Sequence, residues 1–255
     1  MKSEDYQDLY EVEENLWWFR GMEKITLVLL DEICADSKKR SILDAGCGTG
    51  AMMNFLARYA GGGDIYGIDL AQTALEFCRR RNHRLLAQAS ITHLPFTNEI
   101  FDLVTSFDVL QQLPETDLDA LAIKEMFRVL KPGGVCFVRV AAYERLKSGH
   151  DAALSTHHRY NLDELKAKLE TAGFEVVRTT YANSYLLPVA VVRRLLLKKI
   201  GLADKGSDVK PMPPNLAWLN RIFTKILERE AKTLQNPKAK LAFGLSAICL
   251  ARKPL

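Results

Sequence analysis

A short apolar segment, Ile42-Leu43-Asp44-Ala45, runs directly into Gly46-Cys47-Gly48-Thr49-Gly50 and then into a helix-length stretch over residues 51–59. Few features restrict a chain more. Glycines at the end of a buried strand permit a tight turn and let a ligand come close to the backbone. The helix that follows presents free N–H groups and the positive end of its dipole at the same place. Turns of this kind belong to open parallel sheets, which bind ligands in the crevice beyond the carboxyl ends of their strands.

Downstream, short β-like runs alternate with helical ones. Residues 64–69 and 84–89 read as the second and third strands, with a helix at 72–81 between them, and 101–107 as the fourth. A helix at 120–130 is closed by Lys131-Pro132-Gly133-Gly134, because Pro cannot continue a helix and Gly turns the chain; residues 135–140 are a fifth strand. Asn161, with Glu164 three residues on, caps a helix over 162–172, and a sixth strand follows at 174–180. Residues 241–251 supply a seventh. The pattern specifies an α/β fold: a doubly wound, mainly parallel seven-stranded sheet with right-handed crossovers. An N-terminal helical cap precedes it, with a helix at 22–33, and a helical insertion precedes the last strand. The expected divisions are 1–36 for the cap, 37–181 for the core, 182–237 for the insertion and 238–255 for the closing strand. The insertion holds helical stretches at 185–200 and 215–234, separated by 201–214.

Composition narrows the class. With 255 residues, 48% of them hydrophobic and 26% charged, the chain suits one large globular domain. A net charge of +4 is small for this size and lacks the concentrated basic stripe of a nucleic-acid binder. The five cysteines are scattered, without a C-x-x-C pair or a metal-like His/Cys cluster, so reduced thiols, no metal and a cytoplasmic setting are expected. The acidic N-terminus does not read as a secretory signal. No uncharged apolar run approaches the roughly 20 residues that cross a bilayer.

The glycine loop by itself is ambiguous. Gly46-x-Gly48-x-x-Ala51 also satisfies the dinucleotide pattern, and Asp69 stands about twenty residues on, where a ribose-binding acid belongs. A nicotinamide-dependent oxidoreductase therefore stays open beside an adenosyl-cofactor enzyme. Both share a carboxylate at the end of the second strand that accepts bonds from two sugar hydroxyls.

The flanking motifs separate them. Asp44-Ala-Gly-Cys-Gly-Thr-Gly50 resembles the first motif of the class I S-adenosylmethionine-dependent methyltransferases, and Ile65-Tyr-Gly-Ile-Asp69-Leu their second strand and its acid. Ala87-Gln-Ala-Ser90-Ile-Thr-His-Leu-Pro-Phe96, Phe101-Asp-Leu-Val-Thr-Ser-Phe107 and Arg128-Val-Leu-Lys-Pro-Gly-Gly134 resemble the third, fourth and fifth motifs, in order. The chain is similar to the type 11, small-molecule subgroup. The resemblance implies a Rossmann-like methyltransferase fold, S-adenosylmethionine as cofactor and S-adenosylhomocysteine as product. It implies that Asp44, Gly46, Gly48 and Gly50 line the methionine part, Asp69 the ribose, Leu70 and Ser90 the adenine, and Phe107 the sulfonium region. Relatives often carry His at the position of Gln112, so no base transfers there.

Trp17-Trp18-Phe19-Arg20 resembles an N-terminal cap of one subgroup, which implies Trp18 and Arg20 near the cofactor; the same aromatics suit pinning the cap to the core. His157 and His158 follow the fifth strand and are candidate bases, since His titrates near neutral pH; solvated loop histidines are the alternative. The apolar and basic stretch at 185–200 leaves three readings: an acceptor lid, a lipid contact or an oligomer helix. The expected partner is a small-molecule acceptor in a biosynthetic pathway, methylated on O, N or C. A non-catalytic cofactor-binding module is a third reading.

Overall fold

The computed structural model describes residues 3–115, 117–147, 149–192 and 213–255. Seven strands form one sheet: β1 (Ile42–Ala45), β2 (Ile65–Asp69), β3 (Leu86–Gln88), β4 (Phe101–Phe107), β5 (Leu130–Ala141), β6 (Glu175–Ala182) and β7 (Ser246–Arg252). Their order is β3-β2-β1-β4-β5-β7-β6. β7 runs antiparallel to both neighbours, while β1 to β5 pair in parallel. This is the doubly wound architecture expected from the βα alternation.

Helices α1 (Ser3–Val12), α2 (Trp17–Cys34), α3 (Ala51–Ala60), α4 (Gln72–Arg80), α5 (Leu118–Val129), α6 (Gly149–Ala153), α7 (Leu162–Thr171) and α8 (Ala217–Leu234) accompany the sheet, with a short helical segment at 187–192 and three 3-10 turns. The sheet's two faces bury separate clusters. Leu43, Val104, Cys136 and Val138 meet α5 and α7 through Ile123, Met126, Leu165 and Leu169. Ile42, Leu103, Phe137 and Ile248 meet α2, α3 and α8 through Ile25, Leu29, Leu56 and Leu234. The alternation of side chains along each strand divides them this way.

Three expectations change. The cap is two helices, and its second begins at Trp17 rather than at residue 22. β5 begins at Leu130, because the Pro-Gly-Gly turn, with Gly133 at φ +75°, exchanges bonds with the C-terminal tail, Gly133 N to Lys253 O and Lys253 N to Gly134 O, each at 2.9 Å. β7 begins at Ser246, not at 241: Leu241 N instead donates to Thr180 Oγ1 at 3.1 Å, off the β5 ladder. Asn161 caps α7 as expected, its Oδ1 accepting from Glu164 N at 2.8 Å. Of the helix expected at 185–200, residues 187–192 are helical; 193–200 and the connection through 212 lie outside the described residues.

α2 and α8 touch at Gly21. A Cβ there would stand 2.2 Å from Leu227 Cδ1 and 2.5 Å from Leu227 Cβ, and Leu227 is fully buried. Gly21→Ala is expected to cost about 1–3 kcal/mol by overpacking this contact, read as a lower denaturation midpoint in guanidinium.

Candidate functional site

The chain reverses its strand order between β1 and β4, and the glycine loop lies at that crevice. Gly46 has φ +90° and packs so closely that a methyl group there would meet Val109 Cγ2 at 2.3 Å. Gly48 has φ +53° and nothing within 4 Å of its missing Cβ, so its backbone borders open space. The N–H groups of Gly46 and Cys47 both donate to the Ile68 carbonyl at 2.8 Å, fastening the loop to β2.

Two carboxylates flank this loop. Asp69, at the end of β2, accepts from Gly48 N at 3.0 Å and from Ala71 N at 2.9 Å. Burial raises its carboxyl above the usual range, and those N–H bonds oppose the shift. Each oxygen keeps lone pairs for a further donor. Asp44 is 1% exposed. Its Oδ1 accepts from Thr105 Oγ1 at 2.9 Å. Burial pushes the Asp44 carboxyl up to about 7, against the Thr105 bond and the Arg139 charge; nearby Asp69 adds to the rise. A buried acid so weakly partnered favours a cation beside it.

Both acids line a cavity of about 1690 Å³. Small-molecule sites usually occupy about 300–1,000 Å³, so there is room for two ligands. Its walls come from the glycine loop, the ends of β2, β4 and β5, the first turns of α2, residues 186–190 and α8. Leu70, 71% exposed, and Ser90 lie on the β2–β3 side. Ser90 Oγ is 2.7 Å from Thr92 Oγ1.

The N-terminal segment is tied over the loop. Arg81, just past α4, donates to Glu13 at 2.8 Å, to Glu14, to the Thr49 carbonyl at 3.1 Å and to the Tyr10 carbonyl at 3.2 Å. Its guanidinium lies 4.3 Å from the Tyr10 ring centroid. Thr49 Oγ1 also donates to Glu13. From the other side, Asn220 of α8 accepts from Trp17 N at 2.7 Å and donates to Asn15 O at 2.9 Å, replacing the side-chain cap that Leu16 cannot supply.

Arg139 stands at the end of β5, opposite Phe107 in the parallel register. Nε and Nη2 donate to Asp108 Oδ2 at 2.9 and 2.6 Å. The guanidinium lies 5.0 Å from the ring centroids of Trp18 and of Phe107. Asp108 takes φ +60°, a left-handed turn that Asp tolerates better than most residues.

Of the candidates, Asp44, Gly46, Gly48, Asp69, Leu70, Ser90, Phe107 and Trp18 converge on this cavity. Four do not line it. Gly50 turns its carbonyl to His83 Nε2 at 3.0 Å, beneath the loop. Arg20 is exposed, because a helix starting at Trp17 carries it away from the face of Trp18. His157 is exposed, beside Lys147 in a smaller depression that adjoins the cavity and shares Asp151, Ser155 and Thr156 with it. His158 pairs with Glu164 Oε1 at 2.7 Å and lies 3.8 Å from Glu144 Oε2. Thr156 and Arg159 take the cavity positions of that loop. Sequence reasoning missed Arg139, Asp108, Arg81 and Glu13. For Arg139 a signal exists: a charge inside the apolar run Val135-Cys-Phe-Val-Arg139-Val must find a partner when buried. His83 supports the loop from below through that contact with the Gly50 carbonyl.

Residues 43–138 match a family described as a methyltransferase domain. A probable S-adenosylmethionine-dependent methyltransferase of Mycolicibacterium smegmatis is 34% identical over 170 residues, covering 66% of this chain and 62% of that relative. A malonyl-[acyl-carrier protein] O-methyltransferase of Geobacter sulfurreducens is 34% identical over 174 residues, covering 62% of this chain and 63% of that relative. The chain thus spans less than two thirds of the length of either relative. Among solved structures, a phosphoethanolamine N-methyltransferase 2 of Haemonchus contortus, in complex with S-adenosylhomocysteine, superposes with a TM-score of 0.57 at 19% identity. That match covers 90% of this chain and 52% of the other, a likeness of fold.

Proposed function

We propose, from the premise that residues 43–138 belong to the methyltransferase domain family, that this protein transfers the methyl group of S-adenosylmethionine to an O, N or C atom of a small-molecule acceptor. The observation that carries the reading is Asp44. A buried carboxylate raised to about 7, at the foot of the glycine loop, suits the ammonium of an amino-acid ligand. The same group would repel a pyrophosphate, which the dinucleotide reading needs at that place. Strand order agrees: an antiparallel β7 lies between β5 and β6, unlike the 3-2-1-4-5-6 order of dinucleotide folds.

In this reading Asp44, Gly46 and Gly48 hold the methionine part. Asp69 takes the ribose hydroxyls, Leu70 and Ser90 border the adenine, and Phe107 and Trp18 flank the sulfonium. The sulfonium supplies an activated methyl when bound. The protein's share is orientation and exclusion of water, which the clasped N-terminal segment and α8 provide. The face of Trp18 adds attraction for a cation. The name of the Geobacter relative specifies transfer to oxygen, which favours an oxygen acceptor here. No described helix is long and apolar enough to cross a membrane. A cytoplasmic setting accords with the five free cysteines, all buried, and the role we infer there is biosynthetic.

S-adenosylhomocysteine and NAD, each tested by thermal shift, separate the readings, since only a ligand of the native state raises the melting temperature. The expected result is stabilisation by S-adenosylhomocysteine at micromolar concentration and none by NAD. Preferential stabilisation by NAD reverses the assignment.

A further inference from the structure

The cavity holds a cation that the cofactor contacts above leave unused. Arg139 is 4% exposed. Both of its hydrogen bonds go to one oxygen of Asp108, and among the described residues nothing accepts from Nη1. The rings of Trp18 and Phe107 fix the position of the guanidinium. Around it, the described lining contains neither histidine nor lysine. Glu13 and Glu14 are held by Arg81, Asp108 by Arg139, and Asp151 by Arg159.

This pattern discriminates among acceptors. An alcohol or an amine has a proton to lose, and a positioned base must take it. A carboxylate is already ionised at neutral pH; what it needs, on leaving water, is a cation with N–H donors. Arg139 offers the second; for the first, the described lining, which also carries Asp5, Asp8, Glu23, Asp44 and Asp69, offers carboxylates but no imidazole. The same cavity is lined by the apolar side chains of Leu154, Leu186, Val189, Leu219 and Phe223, among polar residues such as Ser155 and Asn183.

We propose that Arg139 binds the methyl acceptor and that the acceptor is a carboxylic acid on an apolar chain, converted to its methyl ester. The inference rests on the methyltransferase reading and names its substrate class. A carboxylate oxygen forms the O–CH3 bond as the methyl–sulfur bond breaks, and the bonding pair stays on sulfur. A sulfonium cation and a carboxylate anion become a neutral thioether and an ester. No proton is released, which accounts for a cavity lining without an imidazole.

The test uses the full chain and three probes of equal length: dodecanoate, dodecan-1-ol and dodecylamine. Calorimetry on protein saturated with S-adenosylhomocysteine is expected to show dodecanoate binding at least about tenfold more tightly than the other two, the worth of one charge-assisted hydrogen bond. With methyl-labelled cofactor, dodecanoate yields a base-labile product that releases labelled methanol. Measured at about pH 8.5, where Asp44 is ionised, Arg139→Gln and Arg139→Lys weaken dodecanoate by about tenfold or more and keep S-adenosylhomocysteine within about twofold, which also reports an intact fold. If Arg139→Gln fails to fold because Asp108 is left unpaired, the double variant Arg139→Gln/Asp108→Asn serves instead. Equal binding of the three probes, no saturable dodecanoate binding, or unchanged dodecanoate affinity in the Arg139 variants overturns the proposal. So does a loss of S-adenosylhomocysteine affinity that spares 5′-methylthioadenosine, because the guanidinium then holds the cofactor's own carboxylate. Failure of wild-type protein to bind S-adenosylhomocysteine defeats the methyltransferase reading itself.

Discussion

Asp44→Asn removes most of the pH dependence of S-adenosylhomocysteine binding between about pH 5 and 7. In the ligand-free protein burial holds the Asp44 carboxyl near 7, so below that pH the group is neutral. Binding an ammonium beside it requires the ionised form. Wild-type affinity therefore falls by up to about tenfold per unit as pH drops below 7, and levels off above it. The Asn variant binds weakly at every pH and shows no such slope. 5′-Methylthioadenosine, which lacks the amino-acid group, is expected to bind both proteins alike. Calorimetric titration at several pH values reads all of this, and an unchanged slope in Asp44→Asn removes the assignment.

The same group has a signature in stability, with the opposite sign. Its folded pKa of about 7 lies above the unfolded value, so its contribution is fully present below about 3.9 and is lost as pH rises through 7. Asn carries no such charge. At pH 8 Asp44→Asn is expected to be more stable than wild type by on the order of 1–4 kcal/mol, and near pH 4 the two converge. Denaturant melts of both proteins across this range supply the check.

Asp69→Ala is the second large effect, and it falls on a different part of the ligand. The Asp69 carboxylate faces the cavity while accepting from Gly48 N and Ala71 N. In the proposed pose it also accepts from two ribose hydroxyls. Loss of two hydrogen bonds to a charged acceptor is worth about 3–6 kcal/mol, a loss of at least about a hundredfold in affinity. Here S-adenosylhomocysteine and 5′-methylthioadenosine weaken together, because both carry the ribose. Circular dichroism is expected to stay native, since the ionised side chain is already disfavoured by burial. Undiminished affinity for either nucleoside contradicts the placement.

What could be read from sequence follows the range of the forces involved. The strand and helix segments of the core are local: apolar runs of the right period, bounded by Gly, Pro or a capping Asn, show themselves within about a dozen residues. Asp44, Gly46, Gly48 and Asp69 were legible for the same reason, because a βα turn and the end of the next strand place them without help from distant chain. The candidates that do not line the cavity depended on orientation. Arg20 hung on which residue begins α2, and Asn220 decides that by capping Trp17 from 203 positions away. His157 and His158 hung on how a loop turns its side chains, and hydrogen bonds to the Gln111 carbonyl and to Glu164 set that.

By itself, then, the amino-acid order determined the doubly wound sheet, the glycine turn and the two acids beside it, since each is a property of a short contiguous segment. Only the folded chain decided that Arg139 meets Asp108 across the β4–β5 register and that Glu13 meets Arg81 over the loop. Those pairs join residues 31 and 68 positions apart. A charge buried in a cavity takes its meaning from the partners that strand register and helix packing bring within about 3 Å, and no local pattern encodes them.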